Sequence, residues 1–187
     1  GEIAEVRLFH NGKLVANPYK SWNQIDPSLP AEPIEVLGPP PTSGTRDAFL
    51  ELVMEVGAAK NAAMGAIKKA DAKAFDTAWK SIREDGAYID AGENDNLIVQ
   101  KLEGNPKAFG IFGYSFLEEN ASKIKGATIA GQKPEFELIA SGKYPVSRSL
   151  YVYFKKSHVG VIPGVKEFIT EYVSDKAMSK DGYLARK

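Results

Sequence analysis

The chain has 187 residues, enough for one core or for two small lobes, and its 24 basic residues balance 24 acidic ones to a net charge of zero. That balance excludes the basic footprint of a nucleic-acid binder, so any anionic partner has to be captured locally. Cysteine is absent, which excludes thiol catalysis, thiolate metal sites and disulfides.

No apolar run approaches the roughly 18 to 20 residues that span a bilayer, and the opening GEIAEVRLFHNG does not have the pattern of a signal peptide. Gly1 in place of methionine suggests processing or engineering. EVRLFHNGKLVAN carries two short runs around Asn11-Gly12, which predicts a hairpin. The proline-rich NPYKSWNQIDPSLPAEP has no clear period and is expected to be extended or looped. IEVLG, residues 34 to 38, is β-prone. Behind PPPTSGTR, the spacing of Phe49, Leu52, Val53 and Val56 predicts one apolar helix face ending near Gly57.

Phe75, Ala78, Trp79 and Ile82 repeat the helical spacing in an Ala- and Lys-rich stretch that reads as two helices or one broken helix, with Asp71 as a cap. AYIDAG predicts a strand and ENDNLIVQKLEGNP a helix closed by Gly104 and Pro106. KAFGIFGYSF reads as a strand, a loop and another helix. KGATIAG and SRSLYVYFKK are expected strands, PEFELIAS a short helix, and the segment from Pro163 onward one or two helices. The aromatic residues of FGIFGYSF and YVYF read as mainly core. Strands alternating with helices predict an α/β fold with a mainly parallel sheet flanked by helices, plus C-terminal helices.

The segment with the clearest chemistry is Thr42, Ser43, Gly44, Thr45 and Arg46. A helix start offers unpaired N–H groups and partial positive charge, Gly44 permits close approach, the hydroxyls of Ser43 and Thr45 donate, and Arg46 adds a fork of donors. The same residues are also ordinary helix caps, and both readings stand. The stretch is not a nucleotide-hydrolase phosphate loop, because GxxxxGK[ST] occurs nowhere. AGENDN, with Asn94 and Asp95 at a second helix start, offers secondary cleft residues or caps. His10 and His158 lack the spacing of a metal motif, and no GxSxG elbow is present. A binding role without metal, cofactor or catalysis is expected.

SWNQIDPSLP, IEVLG, SGTRDAF, ENDNLIVQKLEGNPKAFGIFGYSFLEEN and YPVSRSLYVYFKK, in this order from Lys20 to Lys187, resemble the phosphate-binding proteins that deliver substrate to bacterial ABC transporters. The resemblance implies a two-lobed, exported binding protein of the periplasmic type that hands inorganic phosphate to a membrane permease. It also implies phosphate contacts from Ser43, Gly44 and Thr45, with Arg46 the nearest cation. Family members commonly carry an Arg and an Asp just before Ser-Gly-Thr, the Asp accepting the proton of hydrogen phosphate. Pro39 and Pro41 stand there in this chain.

On this resemblance residues 20 to 150 correspond to the second lobe. Residues 151 to 187 correspond to a return strand and helices that pack on the first, and residues 1 to 19 form a hairpin or a foreign segment. A chain lacking most of the first lobe is expected to bind weakly and to self-associate through exposed faces of its C-terminal helices. The alternative is a structural or assembly fragment that keeps the fold without the ligand.

Overall fold

The structure is a computed structural model describing residues 7–10 and 13–174. Packing divides the chain into two compact units, Gly1–Lys125 and Gly126–Lys187.

In the first unit, strands β1 (Arg7–His10) and β2 (Lys13–Ala16) pair antiparallel with His10 opposite Lys13. This is the expected hairpin, although its Asn11-Gly12 turn lies outside the described residues. The proline-rich segment was expected to be irregular but contains a one-turn helix, α1 (Trp22–Ile25). The Gln24 side chain accepts hydrogen bonds from the backbone N–H groups of Lys20 (2.6 Å) and Ser21 (3.0 Å), which closes the turn from behind. Trp22 packs on Phe109 with ring centroids 4.9 Å apart.

A three-stranded parallel sheet forms the centre, in the order β4 (Tyr88–Asp90), β3 (Val36–Gly38), β5 (Phe109–Gly110). All of β3 is buried because both faces are covered. Val36 packs into a cluster with Ile34, Ile82, Ala87 and Tyr88, whereas Leu37 packs on the opposite face with Ala91 and Ile98. Ile98 comes from α6 (Asp95–Gly104), the helix expected after β4.

Helix α2 (Gly44–Phe49) runs without a break through a π-helical stretch (Leu50–Glu55) into α3 (Val56–Lys60). Its buried residues are Met54 and Ala58, with Phe49 and Leu50 packed behind them, and Val56 is exposed. The face expected from Phe49, Leu52, Val53 and Val56 is therefore displaced. A wider π turn shifts the phase of every residue that follows it. Two further helices, α4 (Ala62–Ala70) and α5 (Ala72–Lys80), bring Met64, Phe75 and Trp79 onto Met54. The Asp71 carboxylate caps α5 by accepting from the N–H of Ala74 at 3.0 Å, as expected. Helix α7 (Tyr114–Glu119) follows β5.

The second unit contains α8 (Phe136–Ala140), a 3-10 turn (Lys156–His158) and α9 (Val165–Tyr172). Neither strand expected here forms. KGATIAG makes a single bridge between Ile129 and Gln132 around a tight turn in which Ala130 and Gly131 have positive φ. In SRSLYVYFKK, residues 149 to 154 make no backbone hydrogen bond among the described residues, and Leu150, Tyr151 and Tyr153 are 74%, 73% and 90% exposed. The aromatic residues of this stretch are thus not core: β-propensity describes fit to a pleated, half-buried surface, and no adjoining strand supplies one. With Pro163, Val165 and Phe168, residues 152 to 154 line an open apolar groove of about 400 Å³. Among the described residues, no helix is long and apolar enough to cross a membrane.

Candidate anion site at the carboxyl edge of the sheet

The three parallel strands end together, with Gly38 opposite Asp90 and Leu37 opposite Gly110. The loops that leave them are therefore neighbours at one edge, where ligands of open α/β sheets bind. The loop after β3 leads into α2, the loop after β4 into α6, and the loop after β5 into α7.

Ser43 is buried at the start of α2, and its hydroxyl oxygen accepts from the N–H of Thr45 at 3.2 Å. The helix cap read in the sequence is real, and its hydroxyl proton is not consumed by that bond. Arg46 lies one turn on, partly exposed. Its guanidinium stands over the Tyr88 ring with Cζ 4.8 Å from the centroid, while Nη1 donates to the Pro39 carbonyl at 3.4 Å. Nε of Arg46 is buried without a hydrogen-bond partner, and Arg46 forms no salt bridge among the described residues. A cation is thus held beside the helix start with donor capacity in reserve.

Tyr88 supports this arrangement from below. It is buried, and its hydroxyl donates to the same Pro39 carbonyl at 2.9 Å. Burial raises the Tyr88 phenol above its ordinary pKa, and the nearby Arg46 charge opposes that shift. The phenol stays neutral and keeps its proton for Pro39. Local pattern could not reveal this role for Tyr88, which lies 49 residues from its partner.

The Asn94 side chain caps α6 by accepting from Asn96 N–H at 3.0 Å. The Asp95 carboxylate accepts from Gly113 N–H at 3.1 Å and so ties the start of α6 to the start of α7. Burial raises the Asp95 pKa, the Gly113 bond opposes the shift, and the charge of Glu93 adds to it. The loop carrying these residues touches the Ser-Gly-Thr loop through Glu93, which accepts from the Thr42 hydroxyl at 2.5 Å. Sequence reading singled out Thr42, Asn94 and Asp95 but not Glu93. Among the described residues, no group of His, Asp and Glu side chains is arranged to hold a metal ion.

A family model described as a PBP superfamily domain matches residues 3–176. The chain belongs to this superfamily. Among its relatives is a protein named phosphate-binding protein PstS from Staphylococcus haemolyticus, 29% identical over 97% of this chain and 49% of the relative. A crystal structure from Planctomyces limnophilus, titled "a possible phosphate binding protein", is 29% identical, covers 91% of this chain and 55% of that one, and superposes with a TM-score of 0.57. The structure of PstS from Borrelia burgdorferi, at 20% identity, 90% coverage of this chain, 58% coverage of its own and a TM-score of 0.55, bears on the fold alone. The chain spans about half the length of the curated relatives it matches.

The superfamily match takes in the N-terminal hairpin, and the mainly parallel, helix-flanked sheet agrees with the solved neighbours. The proline-rich entry to the loop is packed into the fold at this edge of the sheet. Pro39 is fully buried, and its carbonyl is the shared acceptor for Tyr88 and Arg46.

Proposed function

We propose that this chain binds inorganic phosphate, or a similar tetrahedral oxyanion, at Ser43, Gly44, Thr45 and Arg46, as part of an exported solute-binding protein serving an ABC phosphate import system. The observation that carries this reading is the Arg46 guanidinium, fixed over Tyr88 beside a helix start and lacking a carboxylate partner among the described residues. Charge-assisted hydrogen bonds contribute roughly 1.5 to 3 kcal/mol each, so a few of them on one anion suffice for measurable binding. The relatives named for phosphate binding support the choice of ligand. Thr42, Asn94 and Asp95 shape the surrounding edge.

The chain spans about half the length of those relatives, and an anion contacted only by the loops at this one sheet edge keeps few protein partners and much of its water. Binding is therefore expected in about the millimolar range. Calorimetric titration with phosphate tests it, and the absence of heat at saturating concentrations would refute it. Ser43→Ala separates ligand binding from capping. Loss of phosphate heat supports the anion site, whereas a stability loss of about 1 kcal/mol with unchanged affinity supports a structural fragment in which Ser43 only caps the helix.

The exposed apolar side chains of the second unit, including Phe168 and Tyr172 on α9, support self-association. Sedimentation velocity is expected to show mass rising with concentration; a monomer at every concentration would refute this part of the proposal.

A further inference from the structure

Residues 149 to 154 of the second unit have the composition of a strand, β-branched and aromatic, and their backbone makes no hydrogen bond among the described residues. The stretch is still extended where it ends, with Lys155 at φ −76° and ψ 109°. Val152 and Phe154 line the apolar groove together with Phe168 of α9. Tyr151 and Tyr153 lie side by side with ring centroids 6.5 Å apart, and both are largely exposed. A row of unpaired N–H and C=O groups beside exposed aromatic side chains is a template for a further strand.

The stretch is complementary to itself. Antiparallel pairing about a two-fold axis through Val152 sets Tyr151 opposite Tyr153 of a second copy and Leu150 opposite its Phe154, with Val152 facing its own counterpart. Every one of these pairs is apolar or aromatic, the kind that stabilises a sheet. A slip of two residues either way places Tyr153 opposite Ser149 or Tyr151 opposite Lys155, which breaks the apolar run. The zero net charge of the chain adds no long-range repulsion between copies.

The area is also of the right order. Tyr151, Tyr153, Phe154 and Phe168 are 73%, 90%, 51% and 65% exposed, and at about 200 Å² for a whole aromatic side chain they present roughly 500 Å². Leu150 and Val152 bring the face to about 700 Å², close to the roughly 800 Å² per partner of a standard interface.

We propose that a second copy of this chain covers this face, adding its own residues 150 to 154 as an antiparallel strand about an axis through Val152. The inference rests on the self-association proposed above and names the element that drives it, an open strand edge rather than the helix face of α9 alone.

The absence of cysteine allows the register to be read by cross-linking. Directly opposite residues of an antiparallel pair have Cα atoms about 4.5 to 5.5 Å apart, within disulfide range. Val152→Cys is therefore expected to form a covalent dimer on mild oxidation. Leu150→Cys should cross-link at least tenfold more slowly, because its counterpart lies four residues along the pair, about 13 Å away. A mixture of Leu150→Cys and Phe154→Cys chains should cross-link readily. Val152→Pro removes a backbone N–H at the centre of the pair while sparing every hydrogen bond within the chain, so it should weaken association in sedimentation velocity by tenfold or more.

Equal cross-linking by Leu150→Cys and Val152→Cys, or undiminished association of Val152→Pro, would overturn the strand pairing and leave self-association through α9 standing. An unaltered chain that stays monomeric at every concentration would overturn the second copy as occupant, and the self-association reading with it.

Discussion

Replacing Asp85 by alanine is expected to destabilise the chain by about 3 kcal/mol, because it leaves a buried charge uncompensated. The Arg83 side chain is 2% exposed. Its Nε donates to Asp85 Oδ1 at 2.8 Å, and its Nη2 donates to Asp85 Oδ2 at 2.5 Å and to the Tyr19 carbonyl at 2.8 Å. Lys20 also pairs with Asp85. The cluster joins the segment after the hairpin to the loop before β4. Nη1 of Arg83 already lacks a partner, so little capacity remains to absorb a second loss. Urea denaturation checks the expectation. The double variant Arg83→Met, Asp85→Leu should cost less than Asp85→Ala alone, because it removes both charges. Equal losses for the two would show that packing rather than charge sets the penalty.

The same cluster gives a pH dependence. Hydrogen bonds from Arg83, more than any other cause, hold the Asp85 carboxyl well below its ordinary value of 3.8. A depressed pKa adds stability above the ordinary value, and that stability is lost as pH falls below it. Asp95 has the opposite sign: its raised pKa favours the folded state below 3.8, an advantage lost as pH rises through the raised value. Asp85→Ala should therefore flatten the fall of stability on acidification, and an unchanged acid limb would contradict the role given to the clamp.

Gly38→Ala is the substitution that most directly joins fold to site. A Cβ at this position would lie 2.1 Å from the Tyr88 hydroxyl oxygen and 2.5 Å from Cζ of the ring. Tyr88 is only 8% exposed, so it cannot swing clear without disturbing the cluster of Ile34, Val36, Ile82 and Ala87. Overpacking of this kind costs about 1 to 3 kcal/mol. The displaced ring also gives up its hydrogen bond to Pro39 and its support of Arg46, so phosphate affinity should fall by about tenfold. Tyr88→Phe keeps the ring and removes the hydroxyl, and should retain most of the affinity at a stability cost of about 1 kcal/mol. Undiminished phosphate affinity in a folded Gly38→Ala chain would show that Tyr88 does not position Arg46.

Local chemistry was legible where a residue acts within one turn of chain. Ser43 capping α2, Asp71 capping α5 and Asn94 capping α6 all follow from residue type beside an apolar period. The Ser21 to Gln24 spacing carried a similar signal for α1, obscured by the surrounding prolines. The contacts that organise the anion edge were not legible, because Thr42 meets Glu93 across 51 residues and Tyr88 meets Pro39 across 49. Arg83 likewise reaches Tyr19 across 64 residues.

The strands expected in the second unit failed for a different reason. Propensity identifies residues that suit a sheet, but residues 149 to 154 have no adjoining strand among the described residues. The π-helical stretch shows the same limit within a helix. The period was correctly read as helical, but one wider turn moved the buried face from Val53 and Val56 to Met54 and Ala58.

The central claim is that an oxyanion sits against Ser43, Gly44, Thr45 and Arg46. Amide chemical shifts followed during phosphate titration locate binding residue by residue and tolerate millimolar affinity. Saturable shifts are predicted at the backbone N–H groups of Ser43 to Arg46 and at Glu93, with the Arg46 side-chain Nε–H moving in step. Shifts confined to other parts of the chain, or none at saturating phosphate, would contradict the account.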